Sequence, residues 1–310
     1  MTKFRIRLFE NADLPLVLEL MRASLGENTV LQRTPELFSW KHLDNPFGRS
    51  LMLVAEDNEG VIGFRAFMRW ELATPAGVRL SCVRPVDTAT HPRARRQGVF
   101  RLLTEAAVEG AREAGVHLIF NTPNPQSGAG YLKMGWQQVG VIGAMVRPLR
   151  RFLAKSDRLP TVEDSLEWGE REPIDREPLG LRTPRTVEYL KWRFGMHPTA
   201  RYYVSEAVDG SVAVLRANMR ANRAELVVCD LFGTNATAAL RLVASRTDAA
   251  YLVGWASSHA PERRFLFRAG LVPIPGVKAL RLYSRPLTPL EVPAANLGHW
   301  DLMLSDLELL

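Results

Sequence analysis

The chain of 310 residues holds only two cysteines, Cys82 and Cys229, which excludes a disulfide framework and a cysteine-based metal site. Both lie in apolar, strand-like runs and read as small buried hydrophobes rather than nucleophiles. The six histidines show no His-x-x-x-His or comparable spacing, so no metal is expected. No stretch approaches the ~20 consecutive apolar residues of a membrane span, and no membrane partner is expected. The opening run MTKFRIRLFENADLPLVLELM starts basic and turns apolar, but Glu10, Asp13 and Glu19 interrupt it and no small-residue cleavage site follows. It reads as mature sequence, with the cytoplasm as the expected location. Acidic residues are outnumbered, giving a net charge of +7. The arginines are spread along the chain and form no recognised nucleic-acid motif. A basic surface facing acidic small molecules accounts for the balance, so nucleic acid is not expected as the main ligand.

What is present is a regular alternation of elements. Asp13 opens an apolar-periodic helix through Leu25. Thr34 starts a second, with Pro35 at the favoured first helical position. The stretch SLMLVAEDNEGVIGFRAFMRW reads as strand, turn at Asp57 to Gly60, and strand. A third strand spans about Val78 to Thr90. The strongest helix follows: Val99, Leu102, Leu103, Ala106, Ala107, Gly110, Ala111 and Ala114 fall on one stripe. Gly115 ends it, and VHLIFN is a short buried strand. A looser helix around Ser127 to Met134, weakened by Gly128 and Gly130, precedes one strand at Gln138 to Val146.

Residues 147–180 carry prolines and charges of both signs without a period, as a connector does. Beyond them the pattern restarts. RTPELFSWKHLDNP at Arg33 is echoed by RTPRTVEYLKWRFGMHP at Arg182, with Trp40 and Trp192 each six residues before a proline. A hairpin turning at Asp209-Gly210 and the strand LVVCDLFG follow, so Asp230 answers Asp87. The shared order points to an internal duplication. The closing HWDLMLSDLELL alternates apolar residues and reads as a final strand or tail docked on one domain.

The two copies differ at one helix entrance. HPRARRQGVFRLL places Arg93, Arg95 and Arg96 ahead of the long helix, where the dipole disfavours cations. The second copy has TNATAALRLVASR instead. Free N–H groups, a glycine that lets a ligand near the backbone, and flanking guanidinium groups together suit a phosphate or pyrophosphate. Here RRQGVF resembles the signature of the GCN5-related N-acetyltransferase (GNAT) superfamily, with Arg95 and Gly98 at its first two fixed places and Phe100 at a third that is usually Gly or Ala. NPQSGAGYLKMGW supplies Asn124, Tyr131, Lys133, Gly135 and Trp136 in the order of a second family motif. The resemblance covers about residues 1–146.

The resemblance implies an α/β fold of two GNAT-like domains, each a mixed, mostly antiparallel sheet flanked by helices. Residues 1–146 form the catalytic domain, 147–180 a connector, and 181–310 a degenerate copy with a C-terminal tail. It implies acetyl-CoA as acyl donor, with the pyrophosphate on Arg95, Arg96, Gln97, Gly98, Val99 and Phe100. The pantetheine arm would lie along Thr88, Ala89 and Thr90, beside Asn124. Tyr131 would protonate the departing thiolate. Asp87, at the strand end beside the turn, is the candidate base for the amine's proton, although Asp230 in the echoing place argues for a structural turn residue. His117 reads as a packed residue. Arg65, Arg69 and Arg84 would suit an acceptor carrying a carboxylate or phosphate. The expected activity is transfer of an acyl group to a small primary amine, with a homodimer admitted. A non-catalytic acyl-CoA-binding regulator and a Fem-type tRNA-dependent aminoacyl transferase are the alternatives.

Overall fold

A computed structural model of the chain describes residues 4–26, 32–162, 166–167, 176–275 and 279–307. The connector stretch 163–165 and 168–175 lies outside the described residues. The first half runs β1 (Arg5–Leu8), α1 (Leu14–Leu25), α2 (Pro35–His42), β2 (Leu51–Asp57), β3 (Gly60–Ala73), β4 (Arg79–Thr90), α3 (Val99–Glu113), β5 (Leu118–Asn121), α4 (Pro125–Lys133) and β6 (Gln137–Ile142). There follow β7 (Ala144–Pro148), β8 (Leu166–Glu167), α5 (Val187–Leu190), β9 (Tyr202–Glu206), β10 (Val212–Arg220), β11 (Arg223–Phe232), α6 (Ala236–Ser245), β12 (Tyr251–Trp255), α7 (Glu262–Arg268), β13 (Val272–Pro273), β14 (Leu280–Pro286) and α8 (Leu304–Leu307).

The helix starts follow local chemistry. Thr34 caps α2, its hydroxyl accepting from the Leu37 amide at 3.2 Å, with Pro35 as first helical residue. Asp13 accepts from the Glu10 amide and is held by both terminal nitrogens of Arg7 at the start of α1. The apolar stripe of α3 buries Val99, Leu103, Ala107, Val108 and Ala111 on the first sheet. Each large side chain there stabilises by about 1.5–3 kcal/mol.

Two mixed, mostly antiparallel sheets of seven strands each form, ordered β1-β2-β3-β4-β5-β14-β6 and β13-β7-β12-β11-β10-β9-β8. In each, one parallel pair (β4 with β5, β11 with β12) follows an antiparallel hairpin. Both hairpins carry a β-bulge at matching places, opposite Arg65 in the first sheet and between Val214 and Leu215 in the second. The sheets also exchange a strand. β14 enters the first sheet between β5 and β6, while β7 pairs with β12 in the second. Sheet membership therefore departs from chain order, and the expected single strand at Gln138 to Val146 is two strands. Its two halves flank Gly143 and join different sheets.

The C-terminal segment is a further correction. Residues 300–307 are not a strand docked on one domain: they end in the short helix α8, and all eight are buried. Met303 bridges to Ala256 in the second half, while the Leu307 carbonyl accepts from Arg84 in the first. An apolar alternation that looks like a one-sided strand is here buried on all sides, because both halves close over it.

Candidate functional site

β4 and β5 share only two register positions, Cys82 with Leu118 and Val83 with Ile119. β4 then continues to Thr90 while β5 stops at Asn121. A cleft of about 570 Å³ opens between their ends, lined among others by Thr88, Thr90, Phe100, Asn121, Asn124 and Tyr131. The ends of parallel strands in α/β sheets are where ligands bind, because backbone groups there lack strand partners.

The entrance of α3 adjoins this cleft through Phe100. Its N-cap is Gly98, at φ 80°, and no side chain caps it; no acidic residue occupies the first turn. Arg96 shares the left-handed backbone region at φ 63°, a conformation that turns successive amides toward one side. The three arginines ahead of the helix are not equivalent. Arg93 is tied to Asp57 by two hydrogen bonds of 2.5 and 2.9 Å, and this hydrogen bonding holds the Asp57 carboxyl down at about 2. Arg95 and Arg96 are exposed and have no ion-pair partner among the described residues. Uncapped N–H groups beside two exposed guanidinium groups are chemically suited to an anion.

Tyr131 is 3% exposed and sits on α4 with its ring edge-on to Phe100, centroids 5.6 Å apart, and tilted against Trp136 at 5.0 Å. The two glycines expected to loosen this helix instead let it pack. A Cβ on Gly130 would lie 3.1 Å from Phe100, and one on Gly128 would lie 3.0 Å from the Tyr283 hydroxyl. Gly130 thus makes room for the Phe100 ring, the bulky residue in the signature turn. Asn124 caps α4, its side-chain oxygen accepting from the Ser127 amide at 2.9 Å.

Asp87 lines the cleft at φ 46°, but its carboxylate is fully engaged. Arg33 donates to Oδ1 at 3.0 Å, and Lys41 and His42 approach Oδ2 at 2.8 and 3.1 Å. Burial pushes its pKa up, but the Lys41 charge, the His42 hydrogen bond and the Arg33 charge together hold it well below the usual carboxylate range. A carboxylate so stabilised is a poor proton acceptor. Burial pushes the His42 pKa down against the pull of Asp87. Neutral His42 thus donates through Nε2 to Asp87 and accepts at Nδ1 from Ser50 at 3.0 Å.

The structure places Asp87, Thr88, Thr90, Phe100, Asn124 and Tyr131 on one cleft, and Arg95, Arg96, Gln97 and Gly98 exposed at the helix entrance. Ala89 and Val99 instead face apolar core. Thus Ala89 has only its main chain to offer a ligand. His117 accepts from the Ser81 amide at 3.1 Å and does not line the cleft. Of the arginines expected to meet the acceptor, Arg84 lines the cleft, whereas Arg65 is buried behind it. Missed from the sequence were Arg33, Lys41 and His42 around Asp87. The available signal was the Arg-Thr pair that precedes each tryptophan at equal spacing: Arg185, beside the cap Thr186, pairs with Asp230 at 2.9 Å as Arg33, beside the cap Thr34, does with Asp87.

Residues 5–139 match the family model described as Acetyltransferase (GNAT) domain. No curated protein matches the chain in sequence. Among solved structures, a GCN5-related N-acetyltransferase from Anabaena variabilis aligns with TM-score 0.61 at 13% identity, covering 92% of this chain and 73% of its own. A GCN5-related N-acetyltransferase from Kribbella flavida gives 0.58 at 15%, covering 92% and 72%. Saccharomyces cerevisiae N-myristoyltransferase, with bound myristoyl-CoA, gives 0.57 at 14%, covering 92% and 83%. The family model thus covers the half of the chain that carries the cleft, and the solved structures share the fold over both halves. Residues 5–139 belong to the GNAT superfamily. Among the described residues no helix is long and apolar enough to cross a membrane.

Proposed function

We propose that the chain transfers an acetyl group from acetyl-CoA to a small primary amine in the cleft between β4 and β5. The observation that carries this reading is the uncapped, basic start of α3 opening onto the same cleft as Tyr131. The donor's diphosphate rests on the amides of Gly98 to Phe100 between Arg95 and Arg96. Its pantetheine arm follows the main chain of Thr88 to Thr90, past Asn124. The thioester then lies toward Tyr131.

The amine's lone pair attacks the thioester carbonyl carbon, forming the C–N bond. Sulfur leaves with the C–S electron pair and takes the Tyr131 hydroxyl proton. The amine gives up its proton to water, and that proton returns to the phenolate through solvent. Little covalent help is required, because a thioester is already activated; the protein aligns the partners and supplies the acid. Asp87 holds Arg33, Lys41 and His42 in place rather than taking the amine's proton.

Catalysis is assigned to residues 1–146, whose sheet β14 completes while β7 joins the other, with 147–180 as connector and 181–310 as a degenerate copy. The assignment is supported by the counterpart of the cleft in the second sheet. There Arg185, Asp230, Ser305 and Asp306 form a buried, mutually bonded group, so α8 fills the space a donor would need. A second reading, an acyl-CoA-binding regulator without catalysis, is favoured by the saturated carboxylate of Asp87. Release of free thiol from acetyl-CoA across a panel of primary amines decides between them. The transferase reading requires amine-dependent release; binding of CoA without release supports the regulator.

A further inference from the structure

The side chain of Arg65 is 0% exposed on β3, and no carboxylate pairs with it among the described residues. A buried guanidinium without a counter-ion is costly, so its surroundings indicate what it does. One terminal nitrogen donates to the Tyr131 hydroxyl at 2.7 Å and the other to Thr88 Oγ1. Its remaining Nε has no partner. The rings of Phe67, Tyr131 and Phe100 surround it, with centroids 5.1, 5.3 and 5.5 Å away. These faces partly compensate the charge without neutralising it.

We propose that Arg65 is the positioning residue for Tyr131, fixing the direction in which the phenol gives its proton. The inference rests on the transferase reading above. A guanidinium has donors and no acceptor, so at this contact the Tyr131 oxygen can only accept. Its single proton must therefore point away from Arg65. Tyr131 lines the cleft and Arg65 does not, which leaves the cleft side for that proton. Once the thiolate has taken the proton, the phenolate faces an adjacent cation in a dry setting. That charge-assisted contact strengthens as the negative charge develops. Thr88 takes the second donor of the same guanidinium, linking the tyrosine to the strand along which the donor lies.

The test is steady-state thiol release by Tyr131→Phe, Arg65→Met, Arg65→Lys and both double variants, with CoA binding followed by calorimetry. Tyr131→Phe is expected to lower kcat by about 10²-fold, the low end for loss of a general acid. Arg65→Met should lower kcat at least about tenfold, less than the full loss of the acid, with the acetyl-CoA KM changed less than about threefold. In the Tyr131→Phe background the Arg65→Met loss should vanish, because its partner is gone. Arg65→Lys keeps a charged donor, so its smaller loss should vanish in the same background; it carries the test if the Met variant does not fold. Losses that add to that of Tyr131→Phe, or that fall on KM, overturn the proposal. Full kcat in the Arg65 variants with a slow Tyr131→Phe overturns this inference alone. Full kcat in Tyr131→Phe removes the acid role and the inference together.

Discussion

Trp40 and Trp192 stack face to face across the two halves, with ring centroids 4.6 Å apart and planes 13° from parallel. Each indole N–H donates to the other's backbone carbonyl, at 2.9 and 2.8 Å. The pair occupies matching places in the repeated segments, so the internal echo in the sequence becomes a local two-fold relation in space. Together with the exchange of β7 and β14, it joins two sheets that neither half completes from contiguous chain.

The first prediction concerns this joint. Trp192→Ala removes a buried ring, its stacking and the hydrogen bond from its indole N–H to the Trp40 carbonyl, and should cost about 3–5 kcal/mol. Because each sheet contains a strand from the other half of the chain, loss of the joint should shift a single unfolding transition rather than split it. Calorimetric melting of the variant and the parent checks both points.

The second prediction is a dependence of stability on pH set by the Asp87 cluster. The His42 pKa is depressed by burial, so its contribution is fully present above the unfolded value of about 6.5 and declines as pH falls below it. The Asp87 pKa is also lowered. Its contribution is full above the unfolded value of about 3.9 and is lost as pH falls through the lower folded one. Stability should therefore fall in two stages on acidification. Asp87→Asn takes the counter-ion from buried Lys41 and should cost about 3–5 kcal/mol at neutral pH. Urea titrations between about pH 2 and 8 measure both effects.

The third prediction separates the arginines of the α3 entrance. Arg95→Ala and Arg96→Ala should each raise the acetyl-CoA KM by about 5- to 10-fold, as expected for loss of a charge-assisted phosphate contact, with kcat nearly unchanged. The increase should shrink at high salt, where the attraction is already screened. Arg93→Ala, whose charge is committed to Asp57, should change KM much less. Steady-state kinetics at two ionic strengths distinguish them.

The fourth prediction tests the fit of Phe100 to Gly130. An alanine at position 130 gains about 1 kcal/mol of helix propensity, but its Cβ must displace the Phe100 ring and with it the ring packing of Tyr131. Gly130→Ala should therefore slow thiol release, and Phe100→Leu in the same chain should restore part of the rate. Faster release in the single variant would argue against this packing.

Much of the first half was legible because its signals are local. The Asp57 to Gly60 turn, the Thr34 cap and the stripe from Val99 to Ala111 each report on neighbours within a few residues. The α3 entrance was legible for the same reason. Gly143 was not, since alternating apolar residues show that a strand is buried without showing which sheet takes it. The same limit hid the insertion of β14. Tyr131 was legible from motif order, but its link to Arg65 was not. The two are 66 residues apart, and alternation along β3 puts Arg65 on the Phe67 face without telling that α4 brings Tyr131 to it. Arg65 stood out in the apolar run GVIGFRAFMRW, yet a lone arginine in a strand does not name its partner.

The central claim is that the donor's diphosphate docks on the start of α3 and its thioester reaches Tyr131. A crystal structure with bound CoA measures this directly. The account predicts diphosphate oxygens about 3 Å from the backbone nitrogens of Gly98 to Phe100, with the thiol in the cleft beside the Tyr131 hydroxyl. CoA bound elsewhere, with that helix start facing only water, would contradict it.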